Sequence, residues 1–356
     1  MRQEKDIILH SSPNIDDSDI QAVLDVMNSG HLESGEWVGT LEQNVAKMLK
    51  RKHAVAVSSG FAAIHLSLIA LGIGEGDEVI IPSYSCPALL NPVKIVGATP
   101  IIVDIGENSF NLVKKDVSKA LTPNVKAIIV PHMFGFPANI GAIKTLGIPV
   151  IEDCAHSLGG RIDERYLGSE GDLTILSFYS SKMICGGNGG MVVTDDEALY
   201  LALDNYRYYG KKKRHQFLAY NYELGNLQAA LALSQLSRVD EFIGKRRDIA
   251  AKYDSFLKGQ SSIFLDFEEK ESSVYYRYPI RIDKRDEIKN NLRIQGVTSG
   301  FGVLEGLHQI WNASAGLECP NTELMLSQIL SLPIYPSMKE ENVERVCTLL
   351  LENLID

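Results

Sequence analysis

Lys182 closes the run LSFYSSK (176–182), directly ahead of the glycine cluster GGNGG (186–190). Glycine lets backbone come close to a ligand. A lysine amine beside such a turn can form a Schiff base with an aldehyde when a desolvated or cationic setting depresses its pKa and leaves it neutral. The plainer reading is a solvated surface charge. Ser177, earlier in the same run, offers a hydroxyl to a phosphate. IEDCAH (151–156) sets Asp153 at the end of a buried apolar strand, where an unpaired carboxylate is costly. A helix cap or a salt bridge would satisfy it, and so would the protonated nitrogen of a pyridine ring, which that charge makes a better electron sink. His156 is then in reach of the ring or its phenolic oxygen, although a lone histidine is more often structural. SSGFAA (58–63) lies where a strand gives way to a helix. Its amides suit a phosphate at a helix N-terminus, or simply make the turn.

The elements that must position these groups follow from apolar periodicity. NIDDSDIQAVLDVMNSG (14–30) carries Ile20, Val23, Leu24 and Met27 at helical spacing, with Asn14 as cap and Gly30 as stop. From His53 the pattern changes to short apolar runs, 53–59, 77–82, 99–105, 126–131 and 148–153, alternating with helical or turn segments such as 61–72 and 88–97. Continuous apolar strands between helices predict a largely parallel sheet covered on both faces, with ligands at the carboxyl ends of the strands. A strand and a helix follow in 191–210, then a long helix over 226–257, broken near Val239. YYRYPIRI (275–282), DEIKNNLRIQG (286–296) and a closing helix over 338–354 suit a smaller α+β domain. The expected division is a large domain, 1–240, with the N-terminal segment, and a small one, 241–356.

Bulk properties narrow the function. With 45% hydrophobic and 22% charged residues among 356, the chain reads as an ordinary soluble globular protein. No apolar run approaches the roughly 20 residues of a spanning helix, and the start lacks the apolar stretch of a secretory signal, so a cytoplasmic protein without membrane partners is expected. Cys86, Cys154, Cys185, Cys319 and Cys347 lack the short paired spacings of a zinc site or disulfide framework. Free thiols and no metal are expected. A net charge of −10 argues against nucleic acid as the main partner. The run Lys211, Lys212, Lys213, Arg214 is the exception, either a solvated loop or a patch that meets an anionic substrate or a neighbouring subunit.

In order, SSGFAA, GDEVIIPSY, GATPIIVDI, IEDCAHSLGG, SFYSSK with GGNGG, and NYELGNLQAALALSQL resemble the DegT/StrS-type family of pyridoxal-phosphate-dependent sugar aminotransferases. The likeness runs from about Trp37 to Arg238, and ILSLPIYPSM (329–338) resembles the family's closing segment. The resemblance implies an α/β fold of the fold-type I aminotransferase class: a large domain with a mostly parallel seven-stranded sheet, a small C-terminal α+β domain, and a homodimer with shared active sites. By position, Lys182 matches the Schiff-base lysine and Asp153 the partner of the pyridine nitrogen. His156 falls beside the phenolic oxygen. Ser177 and the amides of Gly60, Phe61 and Ala62 match the phosphate cradle, and Cys86 stands at the position that covers the cofactor ring. Asn221 matches an asparagine that reaches the phosphate of the neighbouring subunit. The implied reaction takes an amino group from an amino acid, L-glutamate, through the amine form of the cofactor, to a nucleotide-linked keto sugar in amino-sugar or surface-polysaccharide biosynthesis.

The sequence also departs from the family pattern. Phe61 replaces a usual Thr, Cys86 a usual aromatic, Glu223 a common Arg and Asn188 a frequent Glu, while SGFGVLEGLHQI (299–310) lacks the Tyr and Pro pattern expected near the sugar. Two other readings compete. A sugar dehydratase of the same family typically carries histidine in place of the lysine, and Lys182 argues against it. A cofactor-binding regulator without catalysis is the alternative from another class, and the joint presence of Lys182, Asp153 and Ser177 argues for an enzyme.

Overall fold

Apolar strands without polar alternation belong inside a sheet covered on both sides, and the chain builds that sheet first. The computed structural model describes residues 7–209, 218–259, 265, 268–311 and 316–355. Its main sheet uses β1 (His53–Val57), β2 (Glu78–Pro82), β3 (Thr99–Val103), β4 (Val125–Pro131), β5 (Val150–Asp153), β8 (Leu173–Ser177) and β9 (Gly190–Thr194), in the order β1-β9-β8-β5-β4-β2-β3. A small antiparallel hairpin, β6 (Arg161–Ile162) and β7 (Arg165–Tyr166), lies between β5 and β8. Pairings are parallel from β3 across to β8, and β9 alone runs antiparallel, to both β8 and β1. The expected mostly parallel seven-stranded sheet is therefore present.

Alternate residues of each strand enter different cores. Ala54 and Ala56 join a cluster with α2 (Glu36–Met48) and α8 (Asn226–Leu236). Val55 and Val57 join one with α3 (Gly60–Ala70), α4 (Pro87–Ile95) and α7 (Glu197–Arg207). Beneath the far strands, Ile80, Ile128 and Val130 pack with α5 (Lys114–Lys119) and α6 (Ile140–Lys144).

The first helix, α1 (Asp17–Ser29), departs from expectation at its start and on its face. Its cap is Asp16 rather than Asn14, in a capping box with Asp19, while Gly30 ends it in the left-handed region at φ 72° as expected. Ile20, Leu24 and Met27 are exposed, and the buried positions are Asp19 and Val26. Polar contacts decide this orientation: the Asp19 carboxylate accepts hydrogen bonds from Ser234, Gln235 and Arg238 at 2.7, 2.7 and 2.6 Å. A carboxylate with three donors can be buried, and it turns the apolar stripe outward.

The predicted break near Val239 separates α8 from α9 (Val239–Leu257). Val239 and Ile243 at the start of α9 pack into the core beneath the sheet, whereas Ile249, Tyr253 and Leu257 belong to another cluster. That second core is built on β10 (Tyr278–Arg281) paired antiparallel with β11 (Ile329–Leu332), and on α10 (Arg285–Ile294) and α13 (Glu340–Ile355). Two short helices, α11 (Leu307–Ile310) and α12 (Pro320–Gln328), fill the path between. Ile8 joins the same core, exchanging backbone hydrogen bonds with Gly296 and Thr298 at 2.9 Å each.

All five cysteines are free, with Cys86 alone exposed. Among the described residues no helix is long and apolar enough to cross a membrane. The basic run Lys211–Arg214 lies outside the described residues.

Candidate active site

Neighbouring parallel strands end side by side, so residues far apart in sequence meet at one sheet edge. The carboxyl ends of β4, β5 and β8 and the start of α3 enclose a cavity of about 270 Å³. Of the nine expected site residues, Gly60, Phe61, Cys86, Asp153, His156, Ser177 and Lys182 line it.

Asp153 is the last residue of β5 and is 5% exposed. Its Oδ1 accepts the Ala155 N–H at 2.9 Å. Burial raises its pKa, against the pull of that N–H, of the Lys182 charge and of the nearby His132. A buried carboxylate aimed into a cavity is stabilised by a cationic ligand atom. Behind it, His132 Nδ1 accepts the Ala138 N–H at 2.8 Å, so the proton sits on Nε2 and is donated to Glu152 at 2.9 Å. Glu152 also accepts backbone N–H groups of Gly168, Glu170 and Gly171. Burial pushes its pKa up, but His132 and these amides outweigh it and hold the carboxyl below its usual value. His132, Glu152 and Cys154 bring potential ligand atoms within 4.8 Å of one another. Both imidazole nitrogens and both carboxylate oxygens are already engaged, so the group is a brace under the end of β5.

Lys182 follows β8 through a tight turn in which the Lys182 N–H donates to Tyr179 O at 2.8 Å, and the Phe178 N–H to Gly189 O at 2.9 Å. The glycine cluster is needed because it crosses the SSG turn. A Cβ on Gly190 would lie 2.4 Å from Ser59 O and 2.7 Å from Gly60 N, and one on Gly60 would lie 3.0 Å from Ser177 Cβ. Ser177 and the first residues of α3 therefore share one wall.

Ser59 caps α3, and its Oγ accepts the Ala62 N–H at 3.1 Å. Ala62 is 1% exposed and is not part of the lining. The N–H groups of Gly60 and Phe61 precede any intrahelical acceptor and are the ones left for an anion. Asn221 is exposed, forms a bridge with Tyr208, and is likewise outside the lining.

The His156 ring stacks on Tyr276 at 4.1 Å and 14°, and its Nδ1 faces the Phe134 N–H at 3.4 Å. Burial pushes its pKa well below the ordinary value, aided by Lys182 and Arg277. Both influences favour the neutral ring. Tyr276 itself was not singled out from sequence, where YYRYPIRI reads only as a strand. Lys182 Nζ lies over its ring at 5.2 Å from the centroid and Arg277 Cζ at 4.4 Å. Nothing in the spacing announces this contact, because it depends on how the second core folds back onto the sheet.

The segment 299–310 is latched to the same region. Leu307 N–H donates to Ser83 O at 2.8 Å, the Ser83 hydroxyl pairs with His308 Nδ1, and His308 Nε2 meets Glu323 at 2.7 Å. Ser85 and Cys86, immediately after Ser83, line the cavity.

The fold that carries this cavity has counterparts among solved structures. DesV of S. venezuelae, solved in complex with a ketimine intermediate, is 32% identical over 94% of this chain and 93% of its own, with a TM-score of 0.88. NtdA from Bacillus subtilis, with bound cofactor PMP, is 30% identical over 96% of this chain and 83% of its own, with a TM-score of 0.88. The aminotransferase TlmJ from Streptoalloteichus hindustanus is 28% identical over 98% and 99%, with a TM-score of 0.93. A family sequence pattern matches residues 13–351, nearly the whole length, and by that match the chain belongs to the DegT/DnrJ/EryC1/StrS aminotransferase family.

Proposed function

We propose that this pyridoxal-phosphate-dependent sugar aminotransferase takes its amino group from L-glutamate and delivers it to a keto sugar carried on a nucleotide, acting as a cytoplasmic homodimer in amino-sugar biosynthesis. The observation that carries the reading is the convergence of Lys182, Asp153 and the Gly60, Phe61 and Ser177 wall on one cavity. The donor, the nucleotide and the dimer follow from the family resemblance.

The residues fit the cofactor. A buried carboxylate with a raised pKa suits a protonated ring nitrogen, and two uncommitted helix N–H groups beside a hydroxyl suit a phosphate. Bound there, pyridoxal phosphate supplies the electron sink that carries an amino group from donor to acceptor. In this reading Lys182 would hold the cofactor through its aldehyde, and its amine, when free, would serve as the base and acid that moves a proton. Asp153 keeps the ring nitrogen protonated. Neutral His156, with Nδ1 facing the Phe134 amide, offers its Nε2–H toward the phenolic oxygen. Gly60, Phe61 and Ser177 orient the phosphate, and Cys86 covers one ring face. Asn221, outside the cavity of its own protomer, reaches the phosphate held by the partner.

Replacing Lys182 with Ala is expected to lower turnover by more than about 10³-fold, the scale of a lost positioned acid–base group, while pyridoxal phosphate or its amine form still binds. Near-parental turnover of glutamate and a keto sugar by this variant would contradict the assignment.

A further inference from the structure

We propose that Arg277, next to the Lys182 cavity across the Tyr276 ring, receives the oxyanion of a substrate, a carboxylate or a phosphate; the inference rests on the aminotransferase reading of that cavity. Arg277 immediately precedes β10 and is half-buried. Its Nη2 donates to the Tyr276 hydroxyl at 3.2 Å, and that hydroxyl lies 3.3 Å from the hydroxyl of Ser181, the neighbour of Lys182. Polar contacts thus run from Ser181, beside Lys182, to the guanidinium, and both cations lie over the same phenol ring, just behind His156 and outside the cavity lining itself.

Arg277 lacks what a structural arginine has. Arg207 pairs with Glu42 and Asp204, and Arg238 with Asp16 and Asp19. Arg246, 2% exposed, gives Nη1 to the carbonyls of Tyr275, Tyr276 and Ile334. Among the described residues Arg277 makes no ion pair, and a whole guanidinium terminus, Nη1, is buried without a hydrogen-bond partner, whereas in Arg207, Arg238 and Arg246 only the inner Nε is left so. An unsatisfied donor on a charged, partly desolvated group is costly. An arriving anion removes that cost, and the planar guanidinium fork matches a carboxylate or phosphate.

The surroundings have the same sign. Burial raises the pKa of the Tyr276 phenol, yet Lys182, Arg277 and Arg246 together with the Ser181 hydrogen bond outweigh it and hold it below its ordinary value. The charges that act most strongly at that point are cations, in a chain whose formal net charge is −10. Such a spot concentrates anions. Two substrates can bring the oxyanion: the amino donor through the carboxylate next to its reacting carbon, or a nucleotide-linked sugar through its phosphates.

The test uses the pyridoxal-phosphate-loaded protein, its Arg277→Gln and Arg277→Lys variants, and titration calorimetry with two non-reacting probes, succinate and inorganic pyrophosphate. The parental protein is expected to bind one probe. Arg277→Gln is expected to weaken that binding at least tenfold, Arg277→Lys to restore part of it by keeping the charge while losing the fork, and the melting temperature to stay put. Loss of succinate binding assigns the donor carboxylate, and loss of pyrophosphate binding assigns the nucleotide. Undiminished binding by the glutamine variant, or no binding of either probe to the parent, overturns the proposal. Cofactor absorbance in the same samples reports on Lys182 separately, so failure here is distinguishable from failure of the aminotransferase reading.

Discussion

Gly190 has no room for a side chain. A methyl group there would press on Ser59 O at 2.4 Å and Gly60 N at 2.7 Å, backbone atoms that cannot rotate away. Gly190→Ala is expected to cost about 1–3 kcal/mol as an overpacked contact and to weaken pyridoxal phosphate binding roughly tenfold or more, because the displaced atoms carry the amides proposed to hold the phosphate. Fluorescence titration and a thermal melt check this, and unchanged values of both would refute the shared-wall geometry. At this scale, Lys182, Asp153 and Ser177 were legible because each sits at or just after a strand end, and parallel strands align their ends. Ala62 differs from Gly60 and Phe61 for a local reason: its N–H donates to Ser59 Oγ, and capping by a Ser three residues earlier is itself readable from sequence. Tyr276 and Arg277 were not legible, since their placement beside Lys182 depends on a contact made only through tertiary folding.

Elements were more legible than faces. The apolar runs gave every strand of the main sheet on the cavity side, and the break at Val239 fell where α8 and α9 meet. Helix α1 was found, but its face was inverted. Spacing alone favours burying Ile20, Leu24 and Met27, whereas the three donors gathered on Asp19 hold the opposite side inward. Periodicity weighs transfer energy and is blind to a partner helix that supplies hydrogen bonds. The segment 299–310 shows the same limit. Its departure from the family pattern was visible, but the Ser83, His308 and Glu323 latch that ties it beside Cys86 was not.

Over the whole molecule, α9 runs from one core to the other while Ile8 and His10 attach the start of the described chain to the second core. His10 faces Ser331 at 2.9 Å, and burial lowers its pKa to about 3, with Arg277 and Lys289 pushing the same way. The sign follows directly: below the unfolded value of 6.5 the unfolded chain binds a proton that folded His10 does not, so this contribution is present above that pH and is lost as pH falls. Between pH 6.5 and 5.5 the parental protein is expected to lose about 1 kcal/mol more stability than His10→Gln. Urea unfolding of both at the two pH values measures it, and the subtraction cancels Asp153 and His156, which the variant keeps. Equal losses would show that His10 is free to charge in the folded protein.

The central claim is a covalent one, that the side-chain nitrogen of Lys182 carries the vitamin B6 aldehyde above Asp153. Reducing the pyridoxal-phosphate-loaded protein with borohydride and mapping the modified peptide by mass spectrometry tests it most directly. The account predicts a single phosphopyridoxyl group on Lys182; the same label on another lysine, or none, would contradict it.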